Sequence, residues 1–279
     1  LSEDLQKYYM LDLAAQCFEQ ADKFDIIHSH FTLFSSFFSK LVKTPTLTSI
    51  HIPIREELRP LLLHYKDRPY VSFSRSQRKQ MPELNWYANI YHGIDTGVFT
   101  FNPAPKNYLL YLGRVTEEKG VHFAIEAAKA CNIPLLIAGR STLNEGYWEK
   151  KIESQIDGVN IRYVGEAQLS QKIELLQNAK ALIFPTQADE TFGLVMIEAM
   201  ACGTPVIAWR NGAVPEVIQE GETGYIVENV DDAVKAIQQI SSLPRQASRD
   251  RVVRFFSHEK MVSGYLRVYE RLIQQRKKE

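Results

Sequence analysis

From residue 108 onward the sequence repeats one rhythm. A short apolar run, closed in the first four cases by a glycine or proline, is followed by a longer stretch with helical spacing. The runs are 109–112, 135–138, 161–164, 181–184, 206–209 and 225–227, with helical patterns such as 121–131, 170–179 and 231–240 between them. Strands that alternate with helices build βαβ units, and such units build a parallel sheet. Gly113, Gly139 and Gly165 close the first three runs and recur every 26 residues. That interval is the length of one βα unit. It is not a solenoid repeat, because the intervening sequences do not match. In open parallel sheets ligands bind beyond the carboxyl ends of the strands. Those ends here carry Gly113-Arg114, Gly139-Arg140, Gly165-Glu166 and the stretch after Phe184.

The first hundred residues carry a looser version of the same alternation. Residues 1–20 read as an amphipathic helix with Leu5, Tyr8, Tyr9, Leu11, Leu13, Cys17 and Phe18 as its apolar positions. A strand over 25–30 ends in His28-Ser-His30. A helix over 33–42, a strand over 46–51, a helix over 56–65 and strands over 70–74 and 89–92 follow. Pro103 and Pro105 mark a linker. Residues 1–103 and 104–256 are therefore expected to form two α/β domains. A last helix over 257–277, with Ser257 as N-cap, completes the chain. The formal net charge of zero argues against a dedicated nucleic-acid binder. No apolar run approaches the roughly 20 residues needed to span a bilayer. Cys17, Cys131 and Cys202 cannot all pair, and reduced thiols in a cytoplasmic protein are the plain expectation.

The most specific chemistry sits in 189–206. Between Leu194 and Cys202 every residue is apolar except Glu198, which reads as a buried helix. Gly203 and Pro205 end it. A carboxylate inside such a helix is costly unless something pairs with it. The helix N-terminus offers free N–H groups and a positive dipole end, which suits a phosphate. Glu190 precedes that N-terminus. Two carboxylates suit a sugar, since a vicinal diol donates to two oxygens. On spacing alone, a capping Glu190 and a Glu198 satisfied by backbone remain open. Arg114 and Lys119 follow the first run of the second segment, between Gly113 and Gly120, where two cations could hold a diphosphate. Surface charges in an ordinary βα loop are the alternative. His28 and His30 share one face of a strand. His28 is read as structural and His30 as facing a ligand, with His51 and His92 as weaker candidates. No third residue stands near them at metal spacing. Fingerprints for a nicotinamide cofactor, a P-loop and a serine nucleophile elbow are all lacking.

Glu190-Thr-Phe-Gly-Leu-Val-Met-Ile-Glu198-Ala-Met-Ala-Cys-Gly-Thr-Pro-Val206 resembles the signature of the family 4 retaining glycosyltransferases. Residues 25–30, 92–95, 112–120, 214–217, 221–227 and 256–266 resemble other stretches of the same family. The resemblance implies a GT-B fold: two Rossmann-like α/β domains facing across a cleft, with the last helix crossing back to the first. It implies that Glu190 contacts the donor sugar and Glu198 the nucleotide ribose. The backbone at Phe192, Gly193 and Leu194 holds the diphosphate, and Gly113 opens the loop in which Arg114 and Lys119 neutralise it. His30 lies near the sugar. The implied reaction moves a sugar from a nucleotide-sugar donor, UDP-linked by preference, to an acceptor hydroxyl with retention, without metal or other cofactor. The acceptor would be a carbohydrate, a lipid or a small molecule, with peripheral contact to a membrane left open and no nucleic acid involved.

Two departures qualify the resemblance. Ile52 stands where the family's Thr-x-His-Gly turn has glycine. The family's opening βα unit with its glycine-rich loop has no counterpart before Asp25, so the first domain is expected to be incomplete. A nucleotide-sugar binding module without turnover, and an epimerase on the same fold, are the alternative readings.

Overall fold

The computed structural model describes residues 3–30, 32–141 and 146–278. Leu1 and Ser2 of the first expected helix, and Glu279 at the end of the last segment, lie outside the described residues. The chain divides into two compact units, Leu1–Tyr91 with Met261–Glu279, and His92–Lys260.

In the first unit, helix α1 (Glu3–Glu19) leads to strand β1 (Ile27–Ser29), helix α2 (Thr32–Ser39) and strand β2 (Thr46–Ser49). Helix α3 (Arg59–His64), strand β3 (Tyr70–Ser72), helix α4 (Arg75–Gln80) and strand β4 (Trp86–Asn89) follow. The four strands are parallel and lie in sequence order. The inner strands β2 and β3 are buried throughout, as parallel strands covered on both faces must be. Two expectations need correction, and one helix lies where none is expected. The last strand is Trp86–Asn89 and not 89–92, because Trp86, Ala88 and Asn89 take the register against β3. Helix α4 has no apolar stripe to announce it. Its Ser74 cap accepts from Gln77 N at 3.1 Å, and the buried Gln77 amide donates to Ile50 O at 2.7 Å. Among its described side chains helix α1 buries only Ala14 and Phe18, while Leu5, Tyr8, Tyr9 and Leu13 are exposed.

The second unit begins with strand β5 (Leu109–Leu112), helix α5 (Val121–Ala130), strand β6 (Leu135–Ala138) and strand β7 (Ile161–Gly165). Helix α6 (Leu169–Asn178), strand β8 (Ala181–Phe184), helix α7 (Leu194–Ala201), strand β9 (Val206–Trp209) and the short helix α8 (Val214–Val217) come next. Strand β10 (Gly224–Val227), helix α9 (Val230–Gln239) and helix α10 (Arg245–Phe255) complete it. All six strands match the expected runs, and all pair in parallel in the order β10-β9-β8-β5-β6-β7. Odd-numbered positions of β5, β6 and β8, such as Leu109, Ile137 and Ile183, join α5 and α9 in one core. Positions of the other parity turn to the opposite face, where α7 packs on β8 and β9.

The unit boundary falls at Tyr91 and His92, ahead of the prolines at 103 and 105. Two half-buried arginines of α10 explain the shift. Arg249 donates to Thr96 O, Phe99 O and Ala201 O at 2.6–2.8 Å, and Arg245 to Asn102 O at 2.7 Å, so residues 96–102 are fastened to the second unit. The final helix, α11 (His258–Arg276), carries Val268 and Leu272 into the first unit's core with Leu47, Val71 and Ile90.

Candidate functional site

The strand order fixes where the second unit can hold a ligand. The chain starts in the middle of the sheet at β5 and moves outward through β6 to β7. It then returns to the other side of β5 at β8. In open parallel sheets the ligand crevice lies beyond the carboxyl ends of the strands, where the winding reverses. The residues after β5 are Gly113 to Gly120, and those after β8 are Pro185 to Gly193. Both candidate clusters of the second segment therefore meet at the switch point. Close approach of the backbones needs glycine: a Cβ on Gly139, after β6, would overlap Gly113 O, and one on Gly120 would overlap Pro185 O. Gly120 also has φ +69, the left-handed region that glycine adopts without strain.

Across this junction Lys119 Nζ donates to Glu190 Oε2 at 2.8 Å. Both side chains are mostly buried, with 19% and 17% of their surface exposed, so the pair sits in a less polar setting than a surface ion pair. The loop after β9 holds Glu190 from behind. Ala213 N donates to Glu190 O at 2.9 Å, and Asn211 Nδ2 to Thr186 O at 2.7 Å. Gly212 lies against the Glu190 backbone so closely that a Cβ there would overlap Glu190 O. Arg114 behaves differently. It is 63% exposed and pairs with Glu118 of its own loop at 3.0 Å. The structure thus brings Lys119 and Glu190 together, and leaves Arg114 at the rim.

Helix α7 starts at Leu194, after Gly193 in the left-handed conformation at φ +83. A Cβ on Gly193 would press on Met196 Cε, so the turn accepts glycine for both reasons. Phe192 is buried, its ring 5.2 Å from that of His92 and 5.7 Å from that of Phe256. Leu194 is exposed at the helix start. The acid inside α7 has its partner: Lys172 Nζ of α6 donates to Glu198 Oε1 at 2.7 Å, and Glu198 keeps 14% of its side-chain surface exposed. Sequence reasoning required a partner for Glu198 and did not identify Lys172. The available signal was the helical pattern of 170–179, which places one cation on a helix that neighbours α7. The Lys172 ammonium also stands 5.5 Å from the centre of the Phe99 ring.

His30 belongs to the first unit. It follows the carboxyl end of β1, and its Nδ1 lies 2.7 Å from Nε2 of His51, which follows β2. His28 is engaged at both nitrogens, by Tyr269 Oη at 2.6 Å and Ser49 Oγ at 2.8 Å. Burial pushes the His28 imidazole down to about 3, and the neighbouring His30 and His51 add to the effect. Burial lowers His30 and His51 as well, so the three rings are neutral at pH 7.

The comparisons with known proteins bear on the family and the fold. A family model described as glycosyl transferases group 1 matches residues 99–254, which contain every candidate of the second unit except His92. Phosphatidyl-myo-inositol mannosyltransferase of Mycobacterium leprae is 27% identical, over 88% of this chain and 73% of its own length. N-acetyl-alpha-D-glucosaminyl L-malate synthase of Bacillus anthracis is 44% identical over a shorter span, 29% of this chain and 23% of its own. Among solved structures, the Anabaena protein Alr3699/HepE in complex with UDP superposes with a TM-score of 0.80 at 18% identity, covering 94% of this chain and 82% of that one. Such neighbours carry the GT-B fold, with Rossmann-like parallel sheets of the kind described above. With the family model covering more than half of its length, the chain belongs to the group 1 glycosyltransferases.

Proposed function

We propose that the chain moves a sugar from a UDP-linked donor to an acceptor hydroxyl with retention at the anomeric carbon. The observation that carries this reading is the Lys119–Glu190 pair at the switch point, beside the N-terminus of α7. A nucleoside diphosphate needs cations and N–H donors at one end and hydroxyl acceptors along its length. The base assignment draws on the Anabaena neighbour, which was also solved with UDP-glucose.

In this reading Glu190 accepts hydrogen bonds from the donor sugar, and Glu198 from the ribose. The backbone of Phe192, Gly193 and Leu194 seats the diphosphate, with Gly113 opening the facing loop. Lys119 and Arg114 oppose the charge that develops as the diphosphate leaves, an electrostatic form of catalysis. The bond between the anomeric carbon and the diphosphate oxygen breaks. A bond to the acceptor oxygen forms on the same face, and the acceptor proton passes to the departing diphosphate. No protein nucleophile, metal or other cofactor takes part. The acceptor is a carbohydrate, a lipid or a small molecule.

Removing the Lys119 charge is the direct test. Lys119→Ala is expected to lower the kcat of UDP release from UDP-glucose by about 10²–10³-fold, with a smaller change in donor KM. A change in KM alone would remove Lys119 from the departing diphosphate. A thermal-shift series tests the base: UDP-sugars should raise the melting point above GDP- and ADP-sugars, and equal shifts from all three would sink the UDP assignment.

A further inference from the structure

The second sheet is not covered evenly. Parallel strands are packed on both faces as a rule. The inner strands obey it: Leu110 of β5 and Leu182 of β8 turn away from α5 and α9 and are fully buried all the same. The outer strands do not. On β6, Leu135 and Ile137 are fully buried, while Leu136 between them is half-buried. On the edge strand β7, Ile161 is buried, Arg162 is exposed and Val164 is half-buried. Leu136 and Arg162 are partners in register, so the uncovered ground is continuous across both strands.

A cavity of about 510 Å³ lies over this ground. Its wall is α6, which turns Gln171, Glu174, Leu175 and Asn178 toward it. Their spacing of three and four residues is that of one helix face. The cavity also reaches Tyr108 and Pro134, which precede β5 and β6. It therefore stands at the amino ends and flank of the strands, whereas Lys119 and Glu190 follow the carboxyl ends of β5 and β8. Its volume falls in the roughly 300–1,000 Å³ range of small-molecule sites.

The lining decides what sort of molecule fits. Leu136, Val164 and Leu175 give flat apolar ground. The Gln171 amide can donate and accept, and the Glu174 carboxylate accepts. Arg162 and Lys106 add two cations, and neither side chain has a hydrogen-bond or ion-pair partner among the described residues. A sugar matches the mixture, because its ring faces are apolar and its edge carries hydroxyls that donate and accept. Two cations against the single acid Glu174 leave the lining positive, and a carboxylate on the ligand offsets that charge. A guanidinium holds a carboxylate by two parallel N–H bonds. A nucleic-acid strand needs a run of cations, and Glu174 would oppose its phosphates.

We propose that this cavity is a second saccharide site, distinct from the donor crevice, and that it takes a short acidic saccharide: a disaccharide bearing a carboxylate. The ring faces lie on Leu136, Val164 and Leu175. Hydroxyls meet Gln171 and Glu174, and the carboxylate meets Arg162, with Lys106 adding charge at the rim. The proposal concerns binding alone and is independent of the donor reading.

Calorimetric titration of the full chain with α-1,4-digalacturonate and with the neutral α-1,4-galactobiose tests it. Digalacturonate should show a dissociation constant at least about tenfold below that of galactobiose, the effect of one charge-assisted pair. Arg162→Gln, at an exposed position of an edge strand, should bring the two constants to within about twofold of each other. Gln171→Trp, at an exposed position of α6, fills the cavity and should weaken digalacturonate at least about tenfold with the circular dichroism unchanged. Saturating UDP should leave the digalacturonate constant within about twofold of its value without UDP. Absence of digalacturonate binding, or a preference that survives Arg162→Gln, overturns the proposal. Equal binding of triglutamate would make the cavity a patch for acidic peptides, and competition by UDP would move the saccharide to the donor crevice; either result overturns it too. Failure of UDP itself to bind would count against the donor reading while leaving the digalacturonate result to stand or fall by itself.

Discussion

Glu198 shows how one residue links sequence to site. An acid in the middle of an all-apolar helix is too costly to be incidental, so the sequence alone demands a partner. The partner, Lys172, is 26 residues away and looks like any surface lysine of a βα unit. Its ammonium leaves one carboxylate oxygen of Glu198 for a ligand and holds the group in place. Lys172→Met should therefore raise the donor KM about tenfold while kcat changes less, and Lys172→Arg should restore most of the loss. If donor KM is unchanged in Lys172→Met, then Lys172 serves stability only. Glu190→Gln tests the other acid: it keeps the shape, removes the charge partner of Lys119, and should lower kcat/KM for the donor by at least about tenfold. Full activity in that variant would take Glu190 out of the site. The histidines divide in the same way. His28 is read as structural from its place inside the strand, and its two hydrogen bonds agree. The His30–His51 pair depends on two strands lying side by side, which no local pattern announces.

At the scale of elements, loops and helix ends carry the argument. The loop after β9 braces the loop after β8 through Gly212 and Ala213, so Glu190 is positioned by a segment that need not touch the donor. Gly212→Ala should push the Glu190 backbone away and also strain a residue at φ +49. The expected result is a kcat at least about tenfold lower with a folded protein, measured by UDP release and circular dichroism. Wild-type turnover in Gly212→Ala would show that the brace is dispensable. The arginines of α10 have a different task. Arg245 and Arg249 point into carbonyls at the ends of α6 and α7 and in residues 96–102, where a cation meets the negative end of helix dipoles. Arg249→Met would leave three carbonyls without their donor and should cost about 3 kcal/mol or more in chemical denaturation. Helix α10 was not evident beforehand because its apolar positions are sparse. Its value lies in charged side chains turned inward, opposite to the usual pattern.

On the scale of the whole molecule, the two units should respond differently to acid. His28, His30 and His51 all lie in the first unit, and burial leads the lowering of each. A histidine held neutral in the fold is protonated first in the unfolded chain. Stability is thus fully present above the ordinary histidine value near 6.5. It is lost as pH falls from there, for His28 down to about 3. The slope is at most about 1.4 kcal/mol per pH unit for each such ring. Calorimetry between pH 7 and 4 should show the melting of the first unit falling more steeply than that of the second, where burial lowers the His122 imidazole. His28→Gln should flatten the acid limb, and an unchanged limb would contradict the assignment. The sequence by itself determined the parallel α/β architecture of the second unit, down to its six strands. Period and punctuation are local, and a buried parallel strand has few other ways to be written. It also marked a buried helix within 189–206 that starts after Gly193, with Glu190 ahead of it and Glu198 inside it. Only the tertiary structure decided which cation meets which acid, that the chain divides at Tyr91 and not at the prolines, and that His30 and His51 stand together. Those outcomes depend on strand order and on helix-to-helix packing, where residues far apart in sequence become neighbours and no local pattern records the distance.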